Sequence, residues 1–371
     1  MILLVAILFL IDFLSLGFLF LAYYMWKQWY LYDNTTANAY ADRCLYGFIA
    51  LMLFVFLGKF LIRLLISKRR NGEDEPKMYS NKNDKLKRPD GTVINIEYFG
   101  KENGQPIIFV HGWNSMIQGW YYQIKHFENN YRIICIDLPG LGKSIRPGNK
   151  DFSLSKMAQD LNAVIAFTKA KDPILWGHSI GGMIILTLLA KHKETLASPV
   201  KGIILQHTTY TNPVKTMILD KLLTAIQKPV LVPICYLLIY LSPLVWLNRW
   251  LSYFNGSSLL FTRLLMFTGT QTPKQLDFVT LLSTMAPPAV TARGVLGMFE
   301  YDVTNELPSI DTPAYIIAAN KDRLTKPEAS IYMRDHLPKA QLITVMPGGH
   351  QGLVERHKEV NDGAEKFIHS L

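Results

Sequence analysis

The chain is poor in the residues that build disulfide frameworks and metal sites. Its 371 residues include only three cysteines, Cys44, Cys135 and Cys235, far apart and without metal-type spacing. Neither a disulfide scaffold nor a zinc cluster is expected, and a reducing compartment follows. The nine histidines contain no H-E-x-x-H or comparable pair, so no metal and no cofactor are expected. Charged residues make up only 18% of the chain against 49% apolar. That balance is unusual for a soluble enzyme and points to contact with lipid. Acidic residues are the scarcer sign, 29 against 39 Lys and Arg, for a formal net charge of +10. A basic excess suits nucleic acid or an anionic membrane surface, and its distribution decides between them. Lys68, Arg69, Arg70, Lys77, Lys82, Lys85, Lys87 and Arg88 follow directly on an apolar N-terminal region. A juxtamembrane segment meets anionic headgroups there, so a membrane partner is expected and a nucleic-acid partner is not.

Residues 1–26 contain one charged side chain, Asp12, and a helix of that length crosses a hydrocarbon core of about 30 Å. The run lacks the basic start, short apolar core and A-x-A-like site of a signal peptide. A second apolar stretch begins at Cys44 and continues to residue 66 with Lys59 and Arg63 interspersed, positions from which long basic side chains snorkel to headgroups. Residues 1–66 therefore read as a transmembrane helical hairpin, with an Asp12–Lys59 ion pair as one possibility and Asp12 at the interface as the other. The intervening loop carries two acidic and two basic residues, whereas the segment after the second helix is strongly basic. The positive-inside rule then places both termini and everything after the hairpin in the cytoplasm, at the inner membrane in a bacterium. Residues 67–90 are polar and without hydrophobic period, and read as a basic linker; a soluble domain is expected over 91–371.

Within that domain, 92–98 alternates as a half-buried strand, and 106–110, 132–136, 174–176, 200–205, 314–318 and 342–345 are short apolar runs of the buried parallel type. Helical patterns over 116–127, 154–168, 180–191, 327–336 and 352–369 separate them. This alternation predicts an α/β domain with a mostly parallel sheet and a ligand site beyond the carboxyl ends of the strands. At one such end stands Gly177-His178-Ser179-Ile180-Gly181, a G-x-S-x-G sequence between strand and helix. The glycines there allow a tight turn that pushes the serine into the open.

Three further motifs occur in order: Phe109-Val110-His111-Gly112-Trp113; Asp137-Leu138-Pro139-Gly140-Leu141-Gly142-Lys143-Ser144; and, near the end, Ala319-Asn320-Lys321-Asp322 with Gly348-Gly349-His350. Together with the serine elbow they resemble the α/β-hydrolase family over about 92–371, in that family's own Ser, Asp, His order. The resemblance implies an α/β-hydrolase fold, with Ser179 as nucleophile, His350 as general base and acid, and Asp322 as the group that orients the ring. Asp302 and Asp311 precede the same strand and are alternative acids. The resemblance also implies an oxyanion hole from the backbone N–H groups of Trp113 and Ile180. His111 and His178 read as structural. Serine at the elbow sets the chain apart from dehalogenases and epoxide hydrolases of this fold, which carry aspartate there, whereas haloperoxidase-like members share the Ser-His-Asp set.

The alternation lapses over 209–300, where this family inserts a cap. Residues 229–247 carry no charge, but a single crossing there would put Ser179 across the membrane from Asp322 and His350, and Pro233 and Pro243 would break a straight helix. The expectation is a monotopic lid dipping into the cytoplasmic leaflet, anchored by Trp246, Trp250 and Tyr253 with Arg249 toward headgroups, or else a buried cap core. An anchored enzyme with an apolar lid, similar to membrane-bound monoacylglycerol lipases of this fold, would take a lipid ester such as a monoacylglycerol or lysophospholipid. An acyltransferase, a thioesterase or a non-catalytic membrane scaffold are the alternatives.

Overall fold

The computed structural model describes residues 2–33, 38–67 and 74–371, with the side chains of 2–15 outside that description. Two long helices, α1 (Ile2–Tyr32) and α2 (Asn38–Ile66), open the chain and lie against each other. They mesh through small and aromatic residues. A Cβ on Gly47 would fall 2.3 Å from the Met25 methyl, and Phe18 meets Phe54 edge-on at 5.4 Å. Most of the remaining apolar side chains of the described part are exposed, Phe20, Leu53, Leu61 and Leu65 among them, a pattern water does not favour. The Asp12 side chain lies outside that description, and the expected Asp12–Lys59 pair with it; the Lys59 ammonium donates to the Tyr253 hydroxyl of the cap.

An eight-stranded sheet forms the centre: β1 (Asn83–Lys87), β2 (Val93–Gly100), β3 (Pro106–Val110), β4 (Arg132–Ile136), β5 (Ile174–His178), β6 (Gly202–Gln206), β7 (Ala314–Ala319) and β8 (Ala340–Val345). Their spatial order is β1-β2-β4-β3-β5-β6-β7-β8. The β1–β2 and β2–β4 pairings are antiparallel and all later ones parallel. Every residue of β3, β5, β6 and β7 is buried, because helices cover both faces. On the sheet's flanks lie α3 (Tyr121–Phe127), α4 (Leu154–Phe167), α5 (Ile180–Lys191), α12 (Pro327–His336), α13 (Gly352–Glu355) and α14 (His357–His369). The helix expected over 352–369 is two helices broken at Arg356.

The segment read as a linker is not one along its described length. Strand β1 pairs residues 83–87 with β2, so the sheet begins before Gly91. An edge strand with exposed and half-buried residues in alternation needs no apolar run, and its sequence is correspondingly polar. Upstream of it, the Tyr121 hydroxyl donates to Asp74 Oδ2 at 2.8 Å and that of Tyr122 to the Asp74 carbonyl at 2.8 Å. Lys125 sits 4.4 Å over the Tyr79 ring, and the Ser80 hydroxyl donates to Glu97 at 2.9 Å. A basic composition marked a tether, but residues 74–80 are stapled to the domain.

Between β6 and β7 come six helices: α6 (Asp220–Ile226), α7 (Val232–Tyr240), α8 (Ser242–Asn255), α9 (Ser257–Met266), α10 (Pro273–Met285) and α11 (Pro288–Phe299). A π-helical turn, Gln227–Leu231, joins α6 to α7. Pro243 lies in the first turn of α8, where a missing N–H costs nothing, so the uncharged stretch bends at Leu241 instead of running straight. Among the described residues, Asn38–Ile66 and Asp220–Tyr240 are long and apolar enough to cross a membrane. Cys235 and Leu231 are buried in a small cluster with Ala292 and Phe299 of α11, while Tyr236, Leu237 and Tyr240 are exposed. This segment is therefore packed on one side and bare on the other.

Three of its expected anchors point elsewhere. Tyr253 is buried and donates to Asp277 at 2.9 Å. Trp250 packs on Tyr253 and Phe254, and the Arg249 guanidinium donates to the Ala286 carbonyl at 2.7 Å. Helices α1 and α2 cover this side of α8, a tertiary contact that composition does not announce.

Candidate active site

Ser179 occupies the turn between β5 and α5 with φ 53° and ψ −120°, a conformation that a non-glycine residue adopts only at a cost of about 1–3 kcal/mol. Its neighbours make it possible. A Cβ on Gly181 would lie 2.0 Å from the Val110 carbonyl oxygen, and one on Gly177 would lie 2.4 Å from the Gly181 backbone, so the pentapeptide needs glycine at both places. The Ser179 N–H donates to the Gln206 carbonyl at 2.9 Å and its carbonyl accepts from the Thr208 hydroxyl at 2.6 Å, which fixes the turn against β6. The serine is only partly covered, whereas Asp322 and His350 are buried.

Asp322 and His350 come together from loops after β7 and β8. His350 Nδ1–H donates to Asp322 Oδ2 at 2.8 Å. The same carboxylate accepts from the Thr325 hydroxyl at 2.8 Å and from the Leu324 and Thr325 N–H groups at 2.8 and 3.0 Å. Burial by itself would push the Asp322 carboxyl up, but the charge and hydrogen bond of His350 and the backbone donors outweigh it and hold the carboxyl at about 2. An acceptor at Nδ1 leaves Nε2 of His350 as the basic nitrogen. Neither alternative acid is near: Asp302 accepts from Thr211 at 2.8 Å, and Asp311 pairs with Lys339 at 3.0 Å on the surface.

The two expected oxyanion donors stand at the start of α5 and in the loop after β3. Among the described residues, neither the Ile180 nor the Trp113 N–H has a backbone acceptor; Ile180 opens α5, whose first turn has no intrahelical acceptors for its N–H groups. The Trp113 ring is occupied with the cap. Its Nε1–H donates to the Thr291 carbonyl at 2.9 Å, and a Cβ on Gly294 would fall 1.9 Å from its edge.

Both structural histidines are where such a role requires. His111 donates through Nδ1 to the Gly112 carbonyl at 2.8 Å and accepts the Leu138 N–H through Nε2 at 3.0 Å, joining the loops after β3 and β4. Burial pushes its ring down despite Asp137 nearby, consistent with a neutral ring that accepts from a backbone donor. In the D-x-P-G-x-G-x-S loop, Asp137 takes the Ile117 N–H, the Asn95 amide and the Lys143 N–H at 2.9–3.0 Å. Gly142, at φ 53°, leaves room for that carboxylate. His178 ties the serine elbow to the histidine loop by donating to the His350 carbonyl at 2.9 Å, with burial pushing its ring well down.

Sequence reasoning passed over His207, just beyond β6, and nothing in its neighbourhood of the chain marks it. It is 1% exposed at φ 46°, and among the described residues neither ring nitrogen has a partner. Its ring centre lies 6.2 Å from that of His350. Burial pushes it down to about 4 against the pull of Asp322. Between the ordinary histidine value and about 4, the unfolded chain takes up a proton that the folded one refuses, so stability falls as pH drops through that window. His207→Phe is expected to flatten this limb by roughly 3 kcal/mol. Denaturant midpoints at pH 7 and pH 4 check it, and equal acid losses in both proteins would refute it.

A profile of the alpha/beta hydrolase fold matches residues 105–356. The AB hydrolase superfamily protein YisY of Bacillus subtilis is 22% identical over 77% of this chain and 98% of its own length. The pimeloyl-[acyl-carrier protein] methyl ester esterase of Aeromonas hydrophila is 30% identical over a shorter stretch, 28% of this chain and 39% of that protein. Among solved structures, a thermophilic esterase from Thermogutta terrifontis superposes with a TM-score of 0.63 at 20% identity, over 78% of this chain and 98% of its own. At that identity the likeness concerns the fold.

Proposed function

The chain belongs to the α/β-hydrolase family, and from that premise we propose that it is a membrane-anchored serine hydrolase cleaving carboxylic esters, lipid esters in particular, through an acyl-enzyme on Ser179. The observation that carries the reading is the buried His350–Asp322 pair, fixed at 2.8 Å and tied through His178 to a strained serine elbow. Backbone strain of this kind clusters at active sites, where it can be part of the mechanism. In the proposed reaction the Ser179 hydroxyl attacks the ester carbonyl while His350 takes its proton. The oxyanion is met by the N–H groups of Ile180 and Trp113. His350 then returns the proton to the leaving alkoxide, and water repeats the cycle on the acyl-enzyme. Asp322 holds the ring and stabilises its charged form.

Location supports the lipid substrate. The hairpin's apolar surface is bare, and the cap adds Tyr236, Leu237, Tyr240, Leu244 and Leu247, all exposed, in a stretch without charge. A full crossing by Asp220–Tyr240 would place Ser179 opposite His350, so this face lies in one leaflet, with the catalytic domain on the cytoplasmic side.

The test is an ester panel with the enzyme counted by fluorophosphonate titration. Each two added carbons should raise kcat/KM about fivefold until the acyl site is filled, a fraction of the burial energy of two methylenes. Leu237→Glu with Leu247→Glu should cut hydrolysis of long-chain monoacylglycerol in vesicles by about tenfold or more. Equal turnover of short soluble and long-chain esters would remove the lipid reading.

A further inference from the structure

The hairpin touches the cap at backbone distance. A Cβ on Gly58 of α2 would lie 2.6 Å from the Asn255 carbonyl oxygen. Gly256, left-handed at φ 87° between α8 and α9, faces α2 so closely that a Cβ would come within 2.9 Å of the Lys59 Cα. Around this contact is a polar clamp. The Lys59 ammonium donates to the Tyr253 hydroxyl at 3.0 Å, and Tyr253 donates to Asp277 at 2.9 Å. Arg63 pairs with the other oxygen of Asp277 at 3.5 Å, and the Gln271 amide donates to the Ile66 carbonyl at 3.1 Å. All four charged or phenolic side chains are largely shielded from water, where ion pairs keep more of their strength than on an open surface.

Helix α9 starts at that contact and ends on the catalytic loops. Its ten residues span about 15 Å. At the far end, the Leu264 carbonyl accepts from Arg323 at 2.6 Å and the Met266 carbonyl accepts from the Gln351 N–H at 2.9 Å. Arg323 follows Asp322 and Gln351 follows His350 in sequence. Just beyond α9, the N–H and hydroxyl groups of Thr268 and Thr270 converge on the buried carboxylate of Glu355 at 2.7–3.1 Å, locking the chain that leaves the histidine loop.

We infer that the hairpin is a positioning element of the active site: α2, gripped at Gly58, Lys59 and Arg63, sets α9, and α9 sets the loops that carry Asp322 and His350. This rests on the catalytic reading of those two residues. A helix is stiff along its axis, so displacement at Gly256 is passed to Leu264 and Met266 instead of being absorbed. Orientation errors of about 1 Å in a catalytic group cost up to roughly a hundredfold in rate. The hairpin therefore does more than hold the enzyme at the membrane, and a bilayer that shifts α2 against the cap changes turnover.

The experiment uses the full chain in detergent micelles with p-nitrophenyl butyrate, a soluble ester for which delivery from lipid is irrelevant. Turnover is expressed per fluorophosphonate-titrated site, so misfolded protein is not counted. Asp277→Arg and Gly58→Leu are each expected to lower kcat about tenfold with KM within about twofold, a geometric fault and not a binding one. The exchanged pair, Arg63→Asp with Asp277→Arg, should recover kcat to within about threefold of the parent. If either single variant does not fold, Gly58→Ala supplies the milder wedge. Unchanged kcat in the single variants, or no recovery in the exchanged pair, overturns the inference alone. A parent protein that takes no fluorophosphonate overturns the serine-hydrolase reading beneath it.

Discussion

Ser179→Ala is expected to abolish covalent labelling by a fluorophosphonate and to lower ester hydrolysis by about 10⁴–10⁶-fold, with little change in thermal stability. The rate term follows from the mechanism. With the nucleophile gone, only transition-state binding by the oxyanion donors and the pocket remains, and residual catalysis of that kind is worth roughly 10³–10⁴ over water. The stability term follows from the structure. The elbow is held by the Ser179 backbone, through Gln206 and Thr208, and alanine keeps the Cβ that already tolerates φ 53°. A label that survives on the alanine variant, at the same stoichiometry and with activity intact, would move the nucleophile elsewhere.

Asp322→Asn should lower kcat by about 10⁴ with a much smaller effect on KM. The reason is tautomeric. Oδ1 of Asp322 is already committed to the N–H groups of Leu324 and Thr325, so an asparagine keeps its carbonyl oxygen there and turns its amide toward His350. A donor facing Nδ1 makes that nitrogen the acceptor and puts the proton on Nε2, where it blocks uptake from the serine. Asp302→Asn and Asp311→Asn serve as the contrast. Both carboxylates have partners away from the site, so each variant should stay within about twofold of the parent. A large loss at Asp302 or Asp311, with Asp322→Asn nearly silent, would reassign the acid.

Although β8, expected as a buried run over 342–345, is instead mostly half-exposed, most strands that build the site were legible because each is short, largely apolar and ended by chemistry-bearing residues. β3 and β5 follow that pattern, and a run buried on both faces has no choice but to be apolar. β1 escaped because it is an edge, with water on one side and no hydrophobic period to read. The Asp137 loop shows the middle case. Its motif was visible, but that the carboxylate serves Asn95, Ile117 and Lys143 and not a substrate is a matter of distances. His207 had no signal at all, since a lone histidine after a strand reads the same whether its nitrogens are partnered or not.

What the order of residues determined by itself was local: the apolar hairpin, the parallel alternation, the serine between its glycines, and the succession Ser179, Asp322, His350. Periodicity and turn chemistry suffice for the first three, and the last is carried by the resemblance of the motifs to the α/β-hydrolase family. Tertiary structure alone decided which acid reaches the histidine and that residues 74–80 bind the domain instead of tethering it. It alone turned Lys59 and Tyr253 toward Asp277 and not toward lipid. Each of those outcomes joins positions 20 or more residues apart, and a long-range pair is chosen by packing geometry and by the cost of leaving a charge unpaired, neither of which is written in a local pattern.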